Sequence, residues 1–437
     1  MNSSRSDAVA GIGGGSGSGS GDPPLEAFTT ALADLRSRGR LRARAALPGL
    51  PGKWVERGGR RCLNLASNNY LDLADHPAVK RAAADAALAH GAGAGGSRLL
   101  GGGLSLHREL EEEVASLRPL GGALLFNTGF MANLGALQAL APLAGPVFSD
   151  RLNHASVAEA LRLVPGSFHR YRHADMTHLE SLLDRHAGGT AGPGLVVTET
   201  LFSMDGDEAP LDALLDMQRR RGFLLYLDEA HSTGCRPDLL ERAMREAPPG
   251  RLLAMGTFGK AYGGFGAYVA GPEALIEYMV NAARAFIFST ALPPAVLGAA
   301  LAALRVAEAE PWRREKLAEN AARARELFLS RGFDVGRSRS HILPVLVGTD
   351  SAAVAFSEAL YHEGFHAPPV RPPTVPEGTA RLRINLTSAL ETEDLAALAE
   401  ALERARDAGG VPDSVPNAAP DAAPDNTMDT AQGADHG

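Results

Sequence analysis

Cysteine is scarce in this chain of 437 residues: there are two, Cys62 and Cys235. So few, so far apart, exclude a disulfide framework and a four-cysteine zinc site. They fit a reducing cytoplasm. Long apolar runs are also missing. The opening "MNSSRSDAVAGIGGGSGSGSGDPP" has no continuous apolar segment of signal-peptide length. The most apolar later region, Ala282–Val306, is broken by Arg284, Pro293, Pro294 and Arg305. It falls short of the roughly 18 residues a spanning helix needs. An excess of basic charge is absent too. The net charge is −8, and Asp407, Asp413, Asp421, Asp425, Asp429 and Asp435 account for most of it, leaving a nearly neutral body. Nothing advertises nucleic acid or an anionic membrane. The expectation is a soluble, cytoplasmic protein.

What is present is ordinary globular composition, 45% hydrophobic and 22% charged, with room for a sizeable core. Residues 1–24 are Gly/Ser-rich and 407–437 are rich in Ala, Pro, Asp and Gly. Both are expected to be disordered tails. Between them, short apolar runs alternate with helical patterns. Strands are expected at "GALLF" (122–126), "PVFS" (146–149), "GLVVTE" (194–199), "FLLYLD" (223–228), "LLAMGT" (252–257) and "AYVAG" (267–271). Helices are expected at Met131–Ala141, Leu211–Arg221 and Asp238–Arg245. Near-continuous apolar strands alternating with helices imply an α/β domain with a mostly parallel sheet covered on both faces. After a helical region, Ala295–Arg331, the texture changes. "HILPVLVG" (341–348), a helix at Ala352–Glu363, "ARLRINL" (380–386) and a last helix at Glu391–Arg406 imply a smaller α+β domain.

Three motifs fail on inspection. "GAGAGG" (91–96) fits G-x-G-x-x-G, but a helical pattern precedes it where the dinucleotide fingerprint needs a strand. "GTFGKA" (256–261) resembles a phosphate-binding loop, but Ala254 and Ala261 stand where that loop needs Gly and Ser or Thr. "HRYRHADMTH" holds His169, His173 and His178 at loose spacing with no cysteine to complete a metal set, so surface or strand histidines are the expectation.

What remains is a row of polar groups at the ends of apolar strands. Glu199 and Ser203 follow "LVVT", Asp228 and His231 end "LLYL", and Thr257 and Lys260 end "LLAM". Open α/β sheets bind ligands beyond the carboxyl ends of their strands. Taken singly, Asp228 and Ser203 read equally well as helix caps. A hydrolase of Ser203, His231 and Asp228 lacks a G-x-S-x-G elbow. Lys260 stands among glycines and aromatics in "TFGKAYGGFGAY". Burial lowers an amine's pKa and makes it a nucleophile or base near neutral pH. A reactive lysine with an aspartate for a heterocyclic nitrogen is the binding signature of pyridoxal phosphate. "NTGFMAN" (127–133) adds a glycine turn and helix start for its phosphate.

The motifs as a set, "NLASNNYLDLADHP", "GGSRLLGG", "LFNTGFMAN", "DRLNHAS", "TETLFSMDGDEAPL", "LDEAHSTG", "TFGKAYGG", "FIFSTALPP" and "RPPTVPEGTARLR", resemble those of the α-oxoamine synthases from about Leu25 to Arg406. These are pyridoxal-phosphate enzymes that condense an amino acid with an acyl thioester. The resemblance implies fold type I, a seven-stranded and mostly parallel central sheet, and a homodimer with shared sites. It implies an N-terminal arm (25–74), a large cofactor-binding domain (75–310) and a small C-terminal domain (311–406). Lys260 would hold the cofactor covalently and move the α-proton. Asp228 would pair with the ring nitrogen, His154 would stack on the ring, and His231 would bond its phenolic oxygen beside Ser203. Gly129, Phe130 and Thr257 would hold the phosphate, with Thr290 reaching the partner subunit's. Arg371 would take the amino-acid carboxylate, Asn68 would lie near the substrate across the interface, Glu199 would sit on the substrate side, and Arg42 would meet the acyl chain's far carboxylate. No metal is implied.

"GGSRL" and "RPPTVPEGTARLR" point to the biotin-pathway branch. That branch implies L-alanine and a pimeloyl thioester of CoA or of an acyl carrier protein. The alternative is another amino acid or acyl group in a specialised pathway. The chain departs from the family at Ser232, at the helix after it for which Asp238 is the expected cap, and at Gly103, where the biotin enzymes often have tyrosine. Ser232 and Gly103 are expected near the substrate entrance.

Overall fold

The computed structural model describes residues 23–42, 52–166, 168–186 and 192–409. Most of both expected tails lies outside these. The chain falls into two compact units. The first contains helix α1 (Pro23–Ser37) and Arg42.

The strands of the second unit are β1 (Trp54–Arg57), β2 (Arg60–Asn64), β3 (Gly122–Phe126), β4 (Val147–Asp150), β5 (Phe168–Tyr171), β6 (Leu195–Glu199), β7 (Leu224–Asp228), β8 (Leu252–Thr257), β9 (Ala267–Gly271), β10 (Ile342–Gly348), β11 (Phe365–His366), β12 (Pro369–Val370) and β13 (Ala380–Asn385). Its helices are α2 (Pro77–His90), α3 (Ser105–Leu117), α4 (Gly129–Ala144), α5 (Ala155–Arg162), α6 (Met176–His186), α7 (Leu211–Arg221), α8 (Pro237–Glu246), α9 (Glu273–Ala282), α10 (Arg284–Ile287), α11 (Pro294–Ala309), α12 (Trp312–Ser330), α13 (Asp350–His362) and α14 (Thr392–Gly409).

The central sheet has seven strands in the order β3-β9-β8-β7-β6-β4-β5. Strands β8, β7, β6, β4 and β5 pair in parallel, and β9 runs against both β8 and β3. All six expected strands are present within a residue or so. The seventh, β5, is a half-polar edge strand, "FHRY", with no apolar run to announce it. Alternation along each strand divides the core in two. Leu195, Val197, Tyr226, Leu253 and Met255 pack against α4, α5 and α9. Val196, Leu225, Leu227, Leu252 and Ala254 pack against α6, α7 and α8. Burial on both faces is why these strands read as unbroken apolar runs.

The helical region 295–331 is two helices, because Pro311 follows the Glu310 cap of α11 and restarts the chain as α12. Asp238 does not cap α8. Arg236 occupies that place, and Asp238 sits inside the first turn, paired to the Arg236 guanidinium. The smaller C-terminal part is an antiparallel sheet, β10-β13-β12, with α12, α13 and α14. The β1–β2 hairpin pairs in turn with β11, Leu63 opposite Phe365. The following segment is stitched to the end of β13 by Asn385 N–H on Leu65 O (2.9 Å) and Ser388 N–H on Tyr70 O (2.8 Å). Among the described residues, no helix is long and apolar enough to cross a membrane.

The loop after β8 is closed by Gly263, whose N–H donates to Lys260 O (2.9 Å). Gly263 has φ +65°, and a Cβ there would lie 2.2 Å from Ala74 N. Left-handed backbone and contact with fixed main chain both demand glycine. Gly263→Ala is expected to cost roughly 2 kcal/mol or more, read as a lowered urea midpoint.

Candidate active site

The parallel strands deliver Asp150, Glu199, Asp228 and Thr257 to the same edge of the sheet. Glu199 stands directly opposite Asp228 across the β6–β7 pair. Lys260, on the loop beyond β8, is drawn in beside them. Its Nζ lies 2.8 Å from His231 Nε2. Burial lowers the amine's pKa to about 8, although Asp228 and Glu199 pull the other way.

A chain of hydrogen bonds continues behind His231. His231 Nδ1 is 2.7 Å from the Tyr70 hydroxyl, which donates to Asn68 Oδ1 (2.9 Å). Burial holds His231 well below the usual imidazole pKa, helped by the charges of Lys260 and Arg383. Arg383, from β13, donates to Ser203 O, to Asn68 Oδ1 (3.1 Å) and to the Tyr70 hydroxyl (3.3 Å). Asn68, which the sequence reading expected to act across a subunit interface, thus accepts from Tyr70 and Arg383 of its own chain. Tyr70 and Arg383 were not anticipated. Both lie inside quoted motifs, but their importance comes from pairings across about three hundred residues of sequence.

Asp228 is buried. Its Oδ2 accepts from Asn133 Nδ2 (2.8 Å) and its Oδ1 from Ala230 N–H (2.9 Å). Glu199 is also buried. Its Oε2 accepts from Ser203 N–H (3.2 Å), while Oε1 has no partner among the described residues. Burial and the nearby Asp228 raise its pKa well above the carboxylate range. His154 caps α5 and keeps accessible ring surface, yet neighbouring protein crowds it enough for burial to lower its pKa, against the pull of Asp228. Thr257 Oγ1 donates to Gly266 O (3.0 Å) and accepts from Gly259 N–H (3.1 Å), so its own proton is used in shaping the lysine loop. The amides of Gly129 and Phe130 open α4 with no acceptor among the described residues, and a Cβ on Gly129 would meet only Met255 at 3.8 Å. Thr290 is exposed. Its carbonyl accepts from Asn127 Nδ2 (2.9 Å), next to that helix start. Arg371 is partly buried, on the loop after β12, and Arg42 lies in the first unit.

Of the two departures from the family pattern, Gly103 is exposed, and a Cβ there would lie 2.8 Å from Arg98 O. Ser232 is not at an entrance. It is 0% exposed, 2.6 Å from Thr200 Oγ1. The histidine reading also needs correction at one position. His169 is in β5, but His173 is buried between two carboxylates, with Nδ1 3.0 Å from Asp150 Oδ1 and Nε2 2.9 Å from Asp207 Oδ2. Arg337 pairs with Asp207 as well (2.8 Å).

These groups fit pyridoxal phosphate. Unclaimed amides at the start of α4 suit a phosphate, Asp228 suits a ring nitrogen, a half-buried lysine of lowered pKa stands in reach, and an orphaned carboxyl oxygen of Glu199 awaits a partner. Fold and residues together define a fold type I pyridoxal-phosphate-dependent transferase.

The family model for aminotransferases of class I and II matches residues 60–402. An 8-amino-7-oxononanoate synthase from Geobacter sulfurreducens is 45% identical over 85% of this chain and 96% of that protein. One from Citrifermentans bemidjiense is 42% identical over 89% and 100%. Among solved structures, a serine palmitoyltransferase from Sphingomonas wittichii superposes with TM-score 0.80 at 26% identity, over 90% of this chain and 98% of that one. An 8-amino-7-oxononanoate synthase from Francisella tularensis gives 0.67 at 27%, over 78% and 96%. The chain belongs to the class I and II aminotransferase family, in its α-oxoamine synthase branch.

The two carboxylates around His173 have a consequence for pH. Their hydrogen bonds outweigh burial and raise His173 to about 9. A raised folded-state pKa stabilises fully below the unfolded value, about 6.5, and the gain is lost as pH rises through 9. Wild type should lose up to about 3 kcal/mol between pH 6 and 10 from this group. His173→Gln should remove that part of the slope in urea midpoints measured across the range.

Proposed function

We propose that the chain catalyses the decarboxylating condensation of L-alanine with a pimeloyl thioester, giving 8-amino-7-oxononanoate, CO2 and free thiol for biotin synthesis. The chemistry rests on one observation: Lys260 Nζ, at a pKa of about 8, sits 2.8 Å from His231 and within the field of Asp228. The choice of substrates rests on relatives named 8-amino-7-oxononanoate synthase, matched over nearly their whole length at 42–45% identity.

When bound, pyridoxal phosphate supplies an electron sink for negative charge on the amino acid's α-carbon. Lys260 holds it covalently at rest. Asp228 would hold the ring nitrogen, His154 would lie against the ring, and His231 and Ser203 would hold the phenolic side. Gly129 and Phe130 would hold the phosphate through their amides, and Thr257, its hydroxyl proton given to Gly266 O, would act by fixing the lysine loop. In the reaction Lys260 Nζ takes the α-proton. The α-carbon then bonds to the thioester carbonyl carbon, and the C–S bond breaks to release thiol. The carboxyl carbon leaves as CO2, and a proton returns to the carbon it left. The fixed donors here act where charge develops and need no reorganisation.

Arg371 is assigned the amino-acid carboxylate. Arg383 is the guanidinium set nearest His231 and Asn68, and it competes with Arg371 for that role. Glu199 is assigned to the substrate side, where its Oε1 is without a partner among the described residues. The thiol carrier is CoA or an acyl carrier protein. Two buried free thiols, Cys62 and Cys235, suit a cytoplasmic setting. Leu99, Leu100, Phe130 and Phe288 are large apolar residues left exposed on segments that converge at the Ser97–Thr290 bridge. Such a patch suits a second copy, whose site Thr290 would complete from across the interface.

The alternative, a different amino acid or acyl group, is favoured at one place, Gly103, where the biotin enzymes often carry tyrosine. Purified protein with pyridoxal phosphate should absorb visible light and convert alanine and pimeloyl thioester. Lys260→Ala should lose the bound absorbance and at least about 10²–10⁴ in turnover. Product from another acyl thioester, with none from the pimeloyl one, would sink the biotin assignment. Sedimentation at assay concentration should give a dimer, and an active monomer would overturn the shared site.

A further inference from the structure

The side-chain amide of Asn133 joins two parts of the site that the sequence keeps apart. It stands in the first turns of α4 and is 0% exposed. Its orientation is fixed chemically. Oδ1 accepts from the Tyr226 hydroxyl (2.9 Å), and Nδ2 faces Asp228 Oδ2 at 2.8 Å. A flipped amide would press oxygen against carboxylate, two acceptors with no proton between them. Nδ2 has a second N–H, and it goes to Ser156 Oγ (2.8 Å).

Ser156 then passes the constraint on. Having accepted from Asn133, its hydroxyl directs its own proton to His154 Nδ1 (2.8 Å). Ser156 N–H points at the same nitrogen (3.2 Å). Two donors converge on His154 Nδ1, so that nitrogen carries a lone pair and the ring's proton is on Nε2.

We propose that Asn133 and Ser156 are positioning residues that hold the Asp228 carboxylate and the His154 ring as one unit, keeping the imidazole neutral with its proton on Nε2. This rests on the reading of the site as one for pyridoxal phosphate. In that setting the unit has a clear use. Asp228, bonded by Asn133 and Ala230, stays an acceptor for a protonated ring nitrogen. An imidazolium lying against that same cationic ring would repel it, whereas a neutral imidazole does not. One amide therefore sets both the charge beneath the cofactor's nitrogen and the lack of charge on its face.

The full-length chain labelled with 15N-histidine tests this, first without cofactor and then with pyridoxal phosphate added. In wild type, His154 should show an unprotonated Nδ1 and a protonated Nε2 at pH 7. Ser156→Ala should erode that preference and let His154 titrate at least one pH unit higher. Asn133→Ala should move it the same way, and the double variant should move it no further. With cofactor, both single variants should bind more weakly, Asn133→Ala at least tenfold more so than Ser156→Ala because Asp228 also loses a partner. A folded Ser156→Ala whose His154 keeps wild-type tautomer and titration overturns the proposal, as does a protonated Nδ1 in wild type. If Asn133→Ala does not fold, Ser156→Ala decides alone, since it leaves the partner of Asp228 in place. Failure of wild type to bind pyridoxal phosphate would instead sink the functional reading, and the tautomer result would stand apart from it.

Discussion

An amine held half out of water organises this molecule. Lys260 cannot hold its charge cheaply where it stands, and the structure answers with partners of graded strength. His231 meets it as a hydrogen-bond partner, while Asp228 and Glu199 act on it as charges from the neighbouring strands. A lysine left fully solvated would be a cation with little appetite for carbonyl carbon. One buried without carboxylates nearby would fall further and lose its grip on protons. Placement at the carboxyl edge of parallel strands gives both conditions together, because each strand contributes one end residue at a spacing of about 5 Å.

The large sheet was legible because it is buried on both faces. Runs such as "LLAMGT" have nowhere to lie except between two layers, and β8 came out at the expected residues. The polar residues ending those runs were legible as a set: Glu199, Asp228 and Lys260 each follow an apolar run at the same relative place, though any one alone has a structural reading. The two-residue strands β11 and β12 and the half-polar β5 carry no such texture. They exist because of partners hundreds of residues away or because they finish an edge.

The same distinction separates the parts of the site. Residues that would touch the cofactor could be named from motifs. Residues that hold those residues could not. Tyr70, Asn133, Ser156 and Arg383 act through hydrogen bonds whose other ends come from different elements, and local sequence cannot express a distance between elements. Ser232 failed in the opposite sense. Its departure from the family pattern inside a motif suggested a role at an entrance, but a turn in the chain after His231 sends it inward to Thr200. His173 was misread because a histidine on a polar stretch looks solvent-facing until Asp150 and Asp207 are folded against it.

The guanidinium of Arg383 has a further consequence, one for the order in which the protein is made. The reactive lysine is residue 260, but the arginine that ties Asn68, Tyr70 and the Ser203 loop together is residue 383, on β13. A nascent chain therefore carries its lysine for more than a hundred residues of synthesis before the hydrogen bonds behind His231 can close. Until β13 has left the ribosome the amine has neighbours but no finished frame. A chain cut short before β13 would keep the chemistry-bearing residues in sequence while lacking the means to assemble them.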